Sequence, residues 1–404
     1  MKEENFQRGS IVLLDRVGYA FYKNSGSNYL TNCGYKVRLI TSIDKIHEAI
    51  GPELEAVVAL PKSYSRDYIN HARSLYKINE VKADTIIAIT ERHLLAAANL
   101  RNEFDCPGLS VGQTLLFRDK VLMKDHLTSH GILTPQYSKY SYESALYLLS
   151  KHKKIVLKPR LGAGSQGVMI IEDKEELRYV ENSIEFLIDE YEVEEFIPGK
   201  LYHIDSVVSN GKVIAATAGI SIDPPSNFET STPYYDVSLN NGELLDRLLD
   251  FNSKVVSCYP FFSGVTHHEV FVNDQGLYFC EIGARAGGGG VIACFNRRTG
   301  INLDEVVLSS QIDGSIPLEI DVADIMTGYV MIYGSEGKNA PCIKKYEMPW
   351  VIEHQINVSP GEILKKPKDW SDVVSIISVE GENHSQILSR LNEAFNFVNS
   401  QFIS

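Results

Sequence analysis

Four short runs of apolar residues punctuate positions 1–115: Ile11–Asp15, Val37–Thr41, Ala56–Pro61 and Thr85–Thr90. Each is nearly continuous rather than alternating, which suits strands of a parallel sheet covered on both faces. Amphipathic stretches around Tyr68–Leu75 and from Arg92 to Glu103 read as helices covering them. The pattern predicts an open α/β domain. Ligands of such sheets collect at the carboxyl ends of strands, which makes Asp15 and Glu91 candidate site residues; their plainer reading is helix capping or solvated loop. No G-x-G-x-x-G follows the first run, so a dinucleotide domain is not expected.

Beyond this domain the texture changes. A helix is predicted from Arg118–Asp119 to His130, ended by Gly131 and kept from resuming by Pro135. Hairpins follow: strands at 155–158 and 168–171, a helix near 174–183, and strands around 191–197, 202–208 and 212–218. A helix at Glu243–Ser257 precedes another hairpin at 264–282. The segment Phe228–Leu239, rich in Ser, Thr, Pro and Tyr, reads as an exposed, mobile loop. A strand at Val373–Gly381 and an amphipathic helix from Ser385 to Asn399 close the chain.

Composition narrows the class. At 404 residues the chain exceeds one ordinary core, so two or three domains are expected. With 44% apolar and 23% charged residues it reads as well packed rather than disordered. The net charge of −13, with no basic run longer than a pair, argues against nucleic-acid binding, so any anionic ligand must be met by a local basic cluster. The six cysteines lack C-x-x-C spacing and read as free thiols of a reducing compartment. The polar start MKEENFQRGS has no signal-peptide core, and no apolar run approaches the about 20 residues of a membrane span. A cytoplasmic protein without membrane contact is expected.

Three segments carry chemistry. In IVLKPRLGAGSQGVMII (155–171) a strand ends at Lys158 and a loop with Gly162, Gly164, Ser165 and Gly167 leads into another strand. Glycines let backbone N–H groups approach an anion, and the lysine adds a point charge, so the hairpin reads as a lid over phosphates; its plainer reading is an ordinary glycine turn. A strand follows the loop and no G-K-[ST] is present, so this is not a Walker A loop. In VTHHEVFVNDQGLYFCEIGARAGGGG (265–290), a three-residue turn at 274–276 with Gly276 left-handed would set Phe271 opposite Phe279 and Glu269 opposite Glu281. Opposed carboxylates destabilise a sheet unless a cation lies between them or a pKa rises, and hard oxygen ligands beside phosphates favour Mg²⁺. The plainer reading is two solvated glutamates. His267 shares their face and His268 does not. Arg285 and Gly287–Gly290 follow, where an arginine could clamp a phosphoryl group or an acyl phosphate. In YEVEEFIPGKLYHID (191–205), the connection Glu194-Glu195-Phe196-Ile197 leads to a strand with His203 and Asp205 on one face, groups suited to an adenine edge and ribose hydroxyls.

The order of these parts resembles the ATP-grasp superfamily of carboxylate–amine ligases. It runs from a helix with Lys120 in LFRDKVLMKDHL through Lys158, the glycine flap and EEFIPG to Glu269, Glu281 and Arg285 in FCEIGARAGGG. The resemblance spans the chain, and amino-acid (dipeptide) ligases and biotin-carboxylase-like members are nearest. It implies an N-terminal open parallel-sheet pre-ATP-grasp domain (1–115). An ATP-grasp fold of two α+β subdomains would follow (116–310, with a small lid at about 135–195), completed by a C-terminal subdomain (311–404). It implies ATP and Mg²⁺. Lys120, Lys158 and the 162–167 loop would bind phosphates, and Glu194, Glu195, Phe196 and Ile197 would hold adenine. His203 and Asp205 would lie near ribose or phosphates, Glu269 and Glu281 would hold Mg²⁺, and Arg285 would stabilise the acyl phosphate. Arg297 and Arg298 are second choices for the substrate carboxylate, with ordinary surface arginines as the plainer reading. Two residues depart from the family pattern: Leu201 stands where many members have a ribose-binding acid, and Gly283 where many have a metal-binding Asn. The implied reaction joins a small-molecule carboxylate, an amino acid above all, to an amine that is free or on a carrier protein. ADP and phosphate would be released, and a homodimer is compatible with this. Another ATP-grasp reaction, such as biotin carboxylation, and a non-catalytic nucleotide-binding module are the alternatives.

Overall fold

The computed structural model describes residues 8–402 except 16, 20, 25–28, 62–64, 79, 185–189, 223–232 and 368–371. Strands Leu54–Leu60, Lys36–Ser42, Ser10–Leu14 and Thr85–Ala88 form, in that order, an N-terminal sheet whose pairs are all parallel. Its continuous apolar runs have a simple cause. Val12, Leu14, Ile40 and Ile86 pack against helices Ser65–Tyr76 and Glu91–Phe104 on one face. Ile11, Leu13, Leu39 and Ile87 pack on the other face in one core with Leu303, Val307 and Phe295. The sheet is therefore buried on both sides, as such runs require.

Two further sheets flank a cleft. A small antiparallel sheet has the order Tyr137–Lys139, Tyr191–Glu195, Ile155–Pro159, Met169–Ile171, backed by helix Tyr142–His152. The large sheet has eight antiparallel strands in the order 276–283, 264–273, 200–209, 212–222, 234–238, 326–333, 373–381 and 351–356. The expected loop at Phe228–Leu239 is thus corrected in part. Tyr234–Ser238 is a buried internal strand, because strands pair with both of its edges and its two faces pack into cores, with Tyr234 in one and Val237 in the other, whereas 228–232 lie outside the described residues. Helix Lys120–Ser129 joins the sheets, capped by Asp119, which accepts from Val121 and Leu122 N–H, and ended at Gly131 with φ +77°. Among the described residues, no helix is long and apolar enough to cross a membrane. All six cysteines are free.

Helix Leu303–Ile312 docks the N-terminal sheet on the rest and carries a buried acid. Asp304 Oδ2 has no hydrogen-bond partner among the described residues, and burial pushes the carboxyl up to about 7. An unfolded aspartate titrates near about 3.9, so between these values the folded state holds a proton the unfolded chain has lost. Stability therefore falls as pH rises through this window, by up to about 1.4 kcal/mol per pH unit. Asp304→Asn removes this loss. Its urea midpoint, compared with wild type, is expected to gain steadily from pH 4.5 to 7.5; a pH-independent difference would contradict the assignment.

Candidate functional site

The hairpin Gly264–Asn273 and Gly276–Gly283 forms one edge of the large sheet. Glu269 and Glu281 are directly opposed, as the sequence suggests, but by a different route. Asn273 pairs with Gly276 across a two-residue loop, not the expected three-residue one, and Phe271 meets Tyr278 rather than Phe279. Asn273 Oδ1 accepts from Gln275 and Gly276 N–H, which tightens the turn. A bulge between Glu269 and Val270 on the register then leaves Cys280 as the extra residue and restores the Glu269–Glu281 match.

The opposed carboxylates do not resolve their repulsion by a raised pKa at Glu281. Burial would raise that group, yet the ammonium groups of Lys120 and Lys158 and the Arg285 guanidinium bring it down to about 2. Lys120 Nζ lies 3.0 Å from Glu281 and donates at 2.8 Å to the Gly162 carbonyl. Lys158 lies within the small sheet, 2.6 Å from Glu194 and 3.7 Å from Glu192. Burial disfavours its charge, but Glu194 and other acidic neighbours hold its pKa well above the usual lysine value. Arg285 Nε donates to Glu91 at 2.7 Å. Two lysines, an arginine and two opposed glutamates thus share one cleft, although the chain as a whole is acidic.

The loop after Lys158 turns through Gly164 (φ +66°), Ser165 (φ +58°) and Gly167 (φ +73°). A Cβ on Gly167 would lie 2.9 Å from Pro159 and 3.0 Å from the Tyr191 hydroxyl, so only glycine fits. Gly162 sits at the root of the loop, where its carbonyl meets Lys120.

The connection between the sheets requires corrections. Strand residues alternate, so Glu194 faces the cleft with Lys158 while Glu195 turns to the opposite, helix-covered face. There Glu195 accepts from Gln136 N–H at 3.1 Å and lies 3.2 Å from His152. Its side chain therefore cannot line the same surface as Glu194. Phe196 gives its N–H to the Lys154 carbonyl and lies under the Lys154 ammonium at 4.4 Å, while Ile197 is buried. Leu201 pairs with Phe271, and Gly283 pairs with His267.

His203 and Asp205 belong to a network that crosses several strands. Asp205 bonds His203 Nδ1 at 2.7 Å and His267 Nδ1 at 2.8 Å. His203 Nε2 reaches Asp236 at 3.0 Å, and His267 Nε2 lies 3.6 Å from Glu269. Burial works against charge on His267, but Asp205 raises it to about 9. His203, Asp205 and His267 also have ligand atoms within 4.8 Å of one another, close enough to share an ion. His268 lies on the other face against Asn252, and burial lowers it to about 3. Gly287–Gly290 is no slack loop. A Cβ on Gly287 would lie 2.7 Å from Asp205, and one on Gly290 would lie 2.4 Å from the Tyr329 side chain.

Other candidates are engaged elsewhere. Arg297 pairs with Glu380, and buried Arg298 reaches the Ala323 carbonyl through Nε, while its Nη1 has no hydrogen-bond partner among the described residues. Asp15 accepts from Val17 and Gly18 N–H, the Tyr22 hydroxyl and Thr41, so it holds its own loop. Sequence reasoning passed over Lys124, Glu192, Asp236 and Arg118. Two of these were signalled by spacing: Lys124 is one helical turn beyond Lys120, and Glu192 is two strand positions before Glu194. Asp236 was hidden in the segment read as a loop.

The fold has known counterparts. An ATP-grasp domain family profile matches residues 117–289. The chain carries an ATP-grasp domain. No curated protein sequence matches the chain significantly. Among solved structures, an L-amino acid ligase from Bacillus licheniformis superposes with TM-score 0.73 at 18% identity, covering 97% of each chain. Phosphoribosylglycinamide synthetase from Anaerococcus prevotii gives 0.67 at 14%, covering 97% of this chain and 98% of that one. The biotin carboxylase domain of Hydrogenobacter thermophilus 2-oxoglutarate carboxylase, bound to MgADP, gives 0.73 at 16%, covering 95% and 89%. The structural likeness thus extends over nearly the whole chain, with the parallel N-terminal sheet included, whereas the ATP-grasp profile itself matches residues 117–289.

Proposed function

We propose that this ATP-grasp protein is an ADP-forming ligase that activates a carboxylate as an acyl phosphate and couples it to an amine, making an amide. One observation carries the reading: the opposed Glu269 and Glu281 share a cleft with Lys120, Lys158 and Arg285 beneath a glycine loop. Phosphoryl transfer asks a protein mainly for positioning and for charge facing the phosphate oxygens, and these groups supply both.

The carboxylate pair fits Mg²⁺ by its chemistry: hard oxygen donors, directly opposed, with Glu281 ionised down to about pH 2. When bound there, Mg²⁺ would neutralise and orient the β- and γ-phosphate oxygens. Lys120 and Lys158 would exchange Glu281 and Glu194 for nucleotide phosphates. Arg285 would face the carboxylate as it attacks the γ-phosphate and then hold the acyl phosphate. The loop 162–167 would close over the cleft and keep water from that hydrolysable intermediate. The connection 194–197 would border the adenine through Glu194 and the backbone, with His203 and Asp205 near the phosphates.

The favoured carboxylate is an amino acid, because the superposition on an amino-acid ligase combines a TM-score of 0.73 with 97% coverage of both chains, which the other two do not. The favoured partner is a small-molecule amine in the cytoplasm. ADP release is expected to depend on one or more L-amino acids in a pooled screen, with an amide product found by mass spectrometry. Release driven instead by bicarbonate with biotin would favour the carboxylase alternative, and tight nucleotide binding without turnover on any carboxylate would refute catalysis.

A further inference from the structure

Glu91 lies just past the N-terminal sheet strand Thr85–Ala88, as the first residue of helix Glu91–Phe104. An acid in a first helical turn ordinarily answers the helix dipole and stays near solvent. Glu91 does more. Its side chain is only 11% exposed, and its two oxygens go to two different arginines: Oε2 accepts from Arg285 Nε at 2.7 Å, and Oε1 pairs with Arg118 Nη1. Burial opposes its ionisation, but Arg285 and Arg118 keep its pKa below the usual carboxylate value.

The two arginines lead to the two moving parts of the chemistry. Arg285 Nη1 donates to the Ala286 carbonyl at 2.7 Å. With Nε and Nη1 used, Nη2 is the corner of the guanidinium with no partner among the described residues, and it is left to meet an anion. Arg118 Nη2 donates to the carbonyl of Leu161, at the root of the glycine loop. The next residue, Arg92, donates to Gln166 within that loop at 2.8 Å. A buried carboxylate between two arginines is a poor way to gain stability, since desolvation offsets much of the attraction, but it fixes geometry well.

We propose that Glu91 is the positioning residue for Arg285, fixing its guanidinium so that the free corner faces the transferring phosphoryl group. Through Arg118 it ties that orientation to the seating of the glycine loop. The helix that follows the last strand of the N-terminal sheet then supplies a part of the phosphoryl site that lies outside residues 117–289 altogether. The role rests on the ATP reading above and adds a residue to it.

The test separates the two. Binding of MgADP, alone and with aluminium fluoride as a mimic of the transferring phosphoryl group, is measured by titration calorimetry on wild type, Glu91→Gln and Glu91→Asp, with melting curves to verify folding. Aluminium fluoride is expected to tighten MgADP about tenfold or more in wild type, as a preorganised cation should. Glu91→Gln should keep MgADP affinity within about threefold of wild type yet lose most of that tightening, and Glu91→Asp should recover part of it. The double variant Glu91→Gln/Arg285→Gln should tighten no less than Arg285→Gln alone. If wild type and Glu91→Gln tighten equally, the role of Glu91 is overturned while the ATP reading stands. If wild type binds MgADP but gains nothing from aluminium fluoride, the phosphoryl-transfer reading fails and the proposal fails with it.

Discussion

Glu281→Gln is expected to lower amino-acid-dependent ADP formation by about 10²–10³-fold, the usual cost of removing one preorganised charge from a phosphoryl or oxyanion site. The side chain keeps its size, and Lys120 keeps the Gly162 carbonyl at 2.8 Å, so the cleft should remain folded. The loss should concentrate in kcat and in the apparent affinity for Mg²⁺. Glu281 loses its proton near pH 2, because Lys120, Lys158 and Arg285 outweigh the burial that would raise it. Its ionisation therefore contributes no limb to the pH profile between pH 5 and 9. Steady-state rates across a Mg²⁺ titration check this. A Glu281→Gln enzyme with wild-type Mg²⁺ dependence would remove the residue from the metal site.

The largest stability effect is expected at Lys124, which is wholly buried between Glu192 at 2.6 Å and Glu194 at 2.7 Å. Two further contacts, Lys158 with Glu194 and with Glu192, complete a neutral set of two lysines and two glutamates. It lies where helix Lys120–Ser129 meets the small sheet. Lys124→Met leaves two carboxylates with one ammonium, and breaking a buried pair in this way costs about 3–5 kcal/mol. The double variant Lys124→Met/Glu192→Met restores the balance and should recover most of the loss. Urea unfolding of the three proteins measures it. The single variant should also bind nucleotide more weakly, since Lys158 would be held by both glutamates; equal stability of single variant and wild type would refute the assignment.

Much of the fold is legible in the sequence because its signals are local. The continuous apolar runs at 11–15, 37–41, 56–61 and 85–90 reflect a sheet buried on both faces, and Asp119 with Gly131 frames a helix. The segment at 234–238 is lost for the opposite reason. Its Tyr, Asp and Ser residues look polar, but Asp236 is buried because His203, two strands away in the sheet, and Tyr234, two residues before it on the same strand, satisfy it. At the hairpin, the turn length and the Phe271 pairing are wrong while Glu269 still opposes Glu281, because the unforeseen bulge absorbs one residue. The motifs bring Lys158, Glu269, Glu281 and Arg285 to attention, and the family resemblance adds Lys120. Neither gives a hint that Glu195 faces away, a consequence of strand alternation at one position. Nor does either reveal that Arg118 and Arg285 both meet Glu91, from which they lie 27 and 194 residues away in sequence.

The most direct test follows oxygen. A carboxylate that attacks the γ-phosphate leaves one of its own oxygens on phosphate when the amine displaces it. With the amino acid found in the screen labelled in both carboxylate oxygens with ¹⁸O, each inorganic phosphate released with ADP should carry one ¹⁸O by mass spectrometry. Phosphate without label, or label in AMP, would contradict an acyl phosphate pathway in this cleft.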